Sequence, residues 1–336
     1  RRGSRCLTPD RNPMARALVI GGTSLIGRPL VEALLAGGDD VTVLHRGATT
    51  PFGGRVTEVR ADRNDPAAVR ASLAGRAFDL AFDNVYDWER GTTAGQVLET
   101  ARTVAPGLAR YVFTSSVAVY AEGGPWNEDA DLLPADHPNR YGAHKAESER
   151  TLFRLGKESG LRVSTLRPAF VYGPHNPFER EAFFWDRLRA GRPILLPEDG
   201  GRTMQWVHAA DVARAALRAA TRDAGAGRAF NLADAPVTQA GFVRTLAEVA
   251  GVEAEIVPVP RERLLAEGGG LMAPPLYFGA YLDVAPITVT GDRVRDLLGL
   301  SLTPFEAGLT ETYAWYREQD RPPPEVAWED RVLRSL

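Results

Sequence analysis

The chain has 336 residues, 44% of them hydrophobic, and a formal charge of −3 from 40 basic and 43 acidic residues. Such length and apolar content support a sizeable core and exclude overall disorder. The balanced charge, with no long run of one sign, argues against a nucleic-acid or membrane partner and leaves a small-molecule substrate as the expected one. A single cysteine, Cys6, excludes an internal disulfide, and no apolar run reaches the roughly 18 to 20 residues that span a bilayer. A reducing cytoplasm is the expected compartment. Residues 1–13 are polar and basic and read as a non-native or disordered leader, with Met14 the expected natural start.

Ala17 to Gly21 is an apolar run ending in glycines, followed by helical spacing from Leu25 to Ala36 with Ile26, Leu30, Ala33 and Leu34 on one side. Strands are expected at Asp40–Leu44, Arg55–Ala61, Phe78–Phe82, Arg110–Ser115 and Arg162–Arg167, with helices over Thr93–Val104 and Arg140–Ser159. This alternation predicts an α/β protein with a doubly wound parallel sheet, a Rossmann fold. From Tyr172 onward prolines 174, 177, 193 and 197 break the rhythm. The expected division is therefore a nucleotide-binding domain over 15–173, rejoined by 205–233, and a smaller substrate lobe from 174–204 and 234–320.

The turn Ile20-Gly21-Gly22-Thr23-Ser24-Leu25-Ile26-Gly27 lies between the first strand and the first helix, where a dinucleotide pyrophosphate meets a helix N-terminus. Gly21 and Gly22 permit close backbone approach, and Gly27 lets the helix pack on the strand. Thr23, Ser24, Leu25 and Ile26 complete this candidate cradle. Ser24 stands where the usual pattern has its middle glycine. The second strand ends Val43-Leu44-His45-Arg46, without the carboxylate that accepts the adenosine ribose hydroxyls. Arg46 is either a partner for a 2′-phosphate, which makes NADP the expected cofactor and NAD the alternative, or a solvated loop arginine.

Tyr141-Gly142-Ala143-His144-Lys145 opens a helix, and the i, i+4 spacing places phenol and ammonium on one face. A nearby ammonium favours the phenolate, which lowers a pKa near 10 toward working range for acid/base chemistry. The chain holds nine tyrosines but only two lysines, Lys145 and Lys157. Chance would therefore supply such a pair roughly 0.05 times. Upstream, Ser116 follows the strand Val112-Phe113-Thr114 at the carboxyl edge where open α/β sheets bind ligands. There it either orients a reacting oxygen or serves turn chemistry alone.

Together these residues resemble the extended short-chain dehydrogenase/reductase superfamily, and within it the NAD-dependent epimerase/dehydratase family. The resemblance runs from Ala15 to Arg317. It rests also on Asp62 after the third strand, Arg167-Pro168 followed by Val171-Tyr172-Gly173-Pro174, and Trp206-Val207-His208 leading to Asp211-Val212. It implies reversible hydride transfer at a hydroxyl or carbonyl carbon of a sugar-like or natural-product substrate. Tyr141 would be the acid/base, Lys145 would also bind the nicotinamide ribose, and Ser116 and Val117 would contact substrate. It further places Asp62 and Arg63 near the adenine, Pro168 to Val171 beside the nicotinamide, and a homodimer interface on the helices around Thr93–Val104 and Arg140–Ser159.

The departures narrow the chemistry. The Gly-Gly-Thr-x-x-Ile-Gly form is similar to an atypical branch that includes chloroplast stem-loop-binding proteins and bacterial reductases. Val117-Ala118 replaces the Asp-Glu pair of 4,6-dehydratases, so dehydration is not expected. Met204 replaces an arginine that faces a nucleotide diphosphate, for which Arg202 could stand in. The five histidines, at 45, 137, 144, 175 and 208, show no metal-ligand spacing, and no metal is expected. Reductase and epimerase remain open at this point. The alternative is a non-catalytic member that senses dinucleotide or binds RNA.

Overall fold

Seven apolar segments of four to six residues form one parallel sheet: β1 (Arg16–Ile20), β2 (Asp40–His45), β3 (Thr57–Arg60), β4 (Leu80–Asp83), β5 (Arg110–Thr114), β6 (Val163–Pro168) and β7 (Arg228–Leu232). Their spatial order is β7-β6-β5-β4-β1-β2-β3. The computed structural model describes residues 14–48, 50–178, 180–267 and 284–336. Cys6, the expected leader and part of the expected substrate lobe lie outside those residues.

Apart from the edge strand β3, where only Val59 is buried, each strand is nearly continuous in buried residues because helices cover both faces of the sheet. On one face α1 (Gly27–Ala36) and α6 (Ala209–Thr221) bury Leu30, Val31, Leu34, Val212 and Ala216 against Val19, Val43 and Phe82. On the other, α2 (Pro66–Leu73), α3 (Ala94–Val104) and α4 (Arg140–Ser159) bury Val69, Val97, Ala101 and Leu152 against Leu18, Ala81, Tyr111 and Phe113. Val97, Ala101, Ala146 and Leu152, on the two helices expected to form the dimer interface, are thus buried inside this chain. Amphipathic spacing alone does not say which partner covers a face.

The order reverses direction between β1 and β4, and the carboxyl ends of both strands open at that switch point, the place where such sheets hold ligands. The second lobe closes over this edge. It includes α5 (Arg180–Arg189) and α7 (Gln239–Ala250), and its core stacks Trp206 on Phe242 at 4.4 Å and packs Phe184, Trp185 and Leu309 around them. The strand Trp206–His208 pairs in parallel with Phe170–Tyr172 in a separate two-stranded ladder. A second such ladder joins Gly123–Trp126 to Ile287–Val289 and brings residues 284–287 to the mouth of the cleft.

Candidate active site

A cavity of about 680 Å³ runs from the glycine turn to the second lobe, and Tyr141, Lys145, Ser116, Val117, Pro168 and Val171 all line it. At its inner end β1 passes through the turn into α1. A Cβ on Gly27 would stand 1.9 Å from the Gly21 carbonyl oxygen, so only glycine lets α1 begin so close to the strand. No side chain caps the first turn of α1, whose amides with the helix dipole suit an anion. Gly21, Ser24, Leu25 and Ile26 line the cavity with Gly27, while Thr23 belongs to the same turn without lining it.

Asn139 starts α4 by accepting a hydrogen bond from the Gly142 amide at 3.1 Å, which fixes Tyr141 in the first turn and Lys145 one turn later. The phenol sits against the rings of Tyr86 and Trp88, each 4.7 Å away between centroids. Burial among them pushes its pKa up to about 12, opposed by a hydrogen bond from Ser116 and by the charge of Arg180. The Ser116 hydroxyl also accepts from the Ala118 amide at 3.1 Å, so its oxygen is held in place. Lys145 is buried, donates to the Thr114 carbonyl at 2.7 Å and lies 4.6 Å above the Phe113 ring. Desolvation lowers its pKa to about 8, against the pull of Asp83. The expected lowering of the phenol by Lys145 is therefore not what this geometry gives. The ammonium faces a backbone carbonyl, and burial of the phenol dominates.

Two buried polar atoms beside Lys145 lack a partner: Asn84 Nδ2, whose Oδ1 accepts from Thr114 Oγ1 at 2.6 Å, and Ser115 Oγ. Both residues line the cavity. Unsatisfied donors beside a glycine cradle fit a polar ligand lying across the strand ends, as a dinucleotide would.

The expected adenosine-end residues separate. Arg46 follows β2, is largely exposed, and pairs with Asp87 at 3.0 Å. Asp62 accepts from Arg90 at 2.7 Å, and Arg90 also holds Asp87. The Arg90 backbone amide is the main cause that brings Asp87 down to about 2. Arg63, expected near the adenine, is instead buried: it pairs with Asp83 and donates to Thr100 Oγ1 at 2.8 Å and to the Gln96 carbonyl at 2.9 Å. Neither Arg202 nor Arg63 lines the cavity. The residues missed in the sequence were Asn84, Tyr86, Trp88, Phe178 and Arg180. The first three could have been found, because they follow β4 at the carboxyl edge of the switch point.

The model of the NAD dependent epimerase/dehydratase family matches residues 17–233. The chain belongs to the NAD-dependent epimerase/dehydratase family. This family and its structural neighbours bind NAD(P), and relatives of the chain include both reductases and epimerases. One relative, the 4-hydroxy-2-methyl-3-oxo-4-farnesyl-3,4-dihydroquinoline-1-oxide ketoreductase of Stigmatella aurantiaca, is 28% identical over 84% of this chain and 91% of that protein. The Arabidopsis thaliana chloroplast stem-loop binding protein of 41 kDa b is 30% identical over 72% of this chain, and the match spans 65% of that protein's length. The Thermus thermophilus UDP-glucose 4-epimerase in complex with NAD has a TM-score of 0.72 at 25% identity, over 90% of this chain and 99% of that one. No helix of the described residues is long and apolar enough to cross a membrane.

Proposed function

We propose that the protein is an NAD(P)-dependent oxidoreductase that moves a hydride to or from a carbonyl or hydroxyl carbon, with Tyr141 as acid/base. The observation that carries this reading is the convergence of Tyr141, Ser116 and buried Lys145 on the cavity that the glycine turn opens into. A nicotinamide nucleotide would supply the hydride; the Gly21–Gly27 cradle, Asn84, Lys145, Pro168 and Val171 are the residues that would hold it. In the reductive direction Tyr141 donates its proton to the substrate oxygen as negative charge develops there. Ser116 orients that oxygen. Lys145, buried one turn after Tyr141, would hold the nucleotide's ribose hydroxyls.

NADP(H) is proposed over NAD(H), because exposed Arg46 at the end of β2 can exchange Asp87 for a 2′-phosphate. Reduction is proposed first, because reductases match the chain over most of their own length. Homodimerisation through the outer faces of α3 and α4, where Leu98 and Phe153 stay partly buried, is part of the proposal and is tested by light scattering. Titration of the purified protein with NADPH, followed by turnover assays on ketones and alcohols, tests the main reading. Failure to bind either nucleotide would refute it.

A second reading draws on the 30% identity to the chloroplast stem-loop binding protein: a nucleotide- or RNA-binding role without turnover. An RNA titration across salt concentration distinguishes the two, since a phosphate-contacting protein loses affinity steeply as salt rises.

A further inference from the structure

We infer that the outer half of the cavity is a stacking slot for a planar aromatic ketone or alcohol, and that Trp88 is the residue that selects it. The inference rests on the oxidoreductase reading for the reaction, but its own basis is the wall around Tyr141.

That wall is made of rings. Trp88 lies 4.7 Å from Tyr141 at 32° between planes, close to parallel, while Tyr86 meets Tyr141 edge-on at 4.7 Å and Phe178 meets Trp88 edge-on at 5.9 Å. Tyr86 is itself held by a hydrogen bond between its hydroxyl and His144 Nδ1 at 3.1 Å. Aromatic side chains so arranged offer a rigid face that a flat ring joins by offset stacking.

Exposure gives an independent sign. Among the described residues, six large hydrophobics are exposed, and two of them, Trp88 at 47% and Val284 at 38%, line this one cavity. The lobe's core tryptophans, Trp185 and Trp206, are each 1% exposed. An open apolar patch inside a cleft is covered when an apolar ligand enters, and that burial favours binding.

Three polar side chains at this end make hydrogen bonds within the protein. Gln205 donates to the Asp234 and Val289 carbonyls at 2.9 and 3.1 Å and accepts from the Val289 amide at 2.7 Å. Asn139 caps α4. Arg180 donates to the Val171 carbonyl and lies 5.1 Å above Phe178. A nucleotide diphosphate needs several donors turned toward it. This wall presents ring faces instead. Trp88 and Tyr141 line the same cavity, so a ring held by the aromatic wall is bound in the space that the proton donor faces.

The test uses the full-length protein loaded with NADPH and two probes, 1-acetonaphthone and UDP-galactose, with binding followed by calorimetry and turnover by NADPH absorbance. The ketone is expected to bind saturably and UDP-galactose not to bind. Trp88→Ala should weaken the ketone about tenfold, in Kd and KM alike, while Trp88→Phe stays within about threefold of the parent. Because Trp88 is exposed, both variants should fold, which circular dichroism checks. Tighter binding of UDP-galactose, or a Trp88→Ala protein with unchanged ketone affinity, would overturn the slot. Ketone bound in a Trp88-dependent way but not reduced would sustain the slot and sink the hydride-transfer reading.

Discussion

A Cβ on Gly142 would lie 2.0 Å from the carbonyl oxygen of Ala118, so α4 reaches the segment that carries Ser116 only because residue 142 has no side chain. That approach sets the phenol of Tyr141 against the Ser116 hydroxyl. Gly142→Ala should push the helix away and separate the two. We expect kcat to fall by about 10²-fold, since a displacement near 1 Å at a reacting group costs that much, with a loss of stability of about 1–3 kcal/mol from overpacking. Nucleotide affinity should fall less than kcat, because the glycine turn is remote even though Lys145 moves with the helix. Steady-state kinetics beside chemical denaturation check this, and parent-like kcat would show that the contact does not position the tyrosine.

The burial of Lys145 gives a pH signature. Its ammonium has an ordinary pKa near 10.5 and is brought down to about 8 in the folded protein. Between these values the unfolded chain binds more protons than the folded one, so this group makes stability rise with pH across the window. Below about 8 both states are protonated and the cost of burying the charge is complete. In Lys145→Met that contribution is absent. The stability of the parent relative to the variant should therefore increase by up to about 3 kcal/mol from pH 8 to 10.5. Nucleotide affinity should move the other way, falling as the ammonium is lost above pH 8. A pH-independent difference between the two proteins would contradict the account.

At the adenosine end, Arg46 and Asp87 form an ion pair at 3.0 Å whose guanidinium is mostly in water. Such a pair is weak and yields readily to a phosphate. We predict that NADPH binds about tenfold more tightly than NADH, about 1.4 kcal/mol, and that Arg46→Ala removes most of the difference. Calorimetric titration of both nucleotides into both proteins measures it. Equal affinities in the parent, or an unchanged ratio in the variant, would count against NADP(H).

Much of the fold was legible because it is written in short range. The glycine turn, the apolar runs of β1, β2, β5 and β6 and the helix carrying Tyr141 and Lys145 each announce themselves within a dozen residues. Boundaries moved where turns intervened: the strand expected at Arg55–Ala61 is Thr57–Arg60, with a short 3₁₀ turn over Gly53–Arg55 before it. The ladder between Gly123–Trp126 and Ile287–Val289 was not legible, because its first strand reads as a glycine- and proline-rich turn and its partner lies far along the chain. Arg63 was misplaced because its side chain turns into the protein toward Asp83, a choice set by tertiary packing. The aromatic wall needed the fold itself, since Trp88 and Phe178 come from loops on opposite sides of the cleft and meet only there.

The roles of the hydroxyl pair separate by substitution. Ser116→Ala keeps the proton donor and loses one orienting hydrogen bond, so a fall in kcat of about tenfold is expected, with the phenol's pKa rising further once that bond no longer holds it down. A pH titration of tyrosine absorbance, compared between parent and variant, reads the second effect. No difference at high pH would mean that the hydrogen bond is not made in solution.

The most direct measurement is the turnover of Tyr141→Phe. The substitution keeps the ring, and therefore its packing against Tyr86 and Trp88, and removes only the hydroxyl that carries the proton. Once a reducible substrate is in hand, kcat should fall by 10²- to 10⁴-fold while the Kd for NADPH stays within about twofold. A folded Tyr141→Phe protein that binds nucleotide and retains near-parental kcat would show that the proton comes from another group, and the role given to Tyr141 would be wrong.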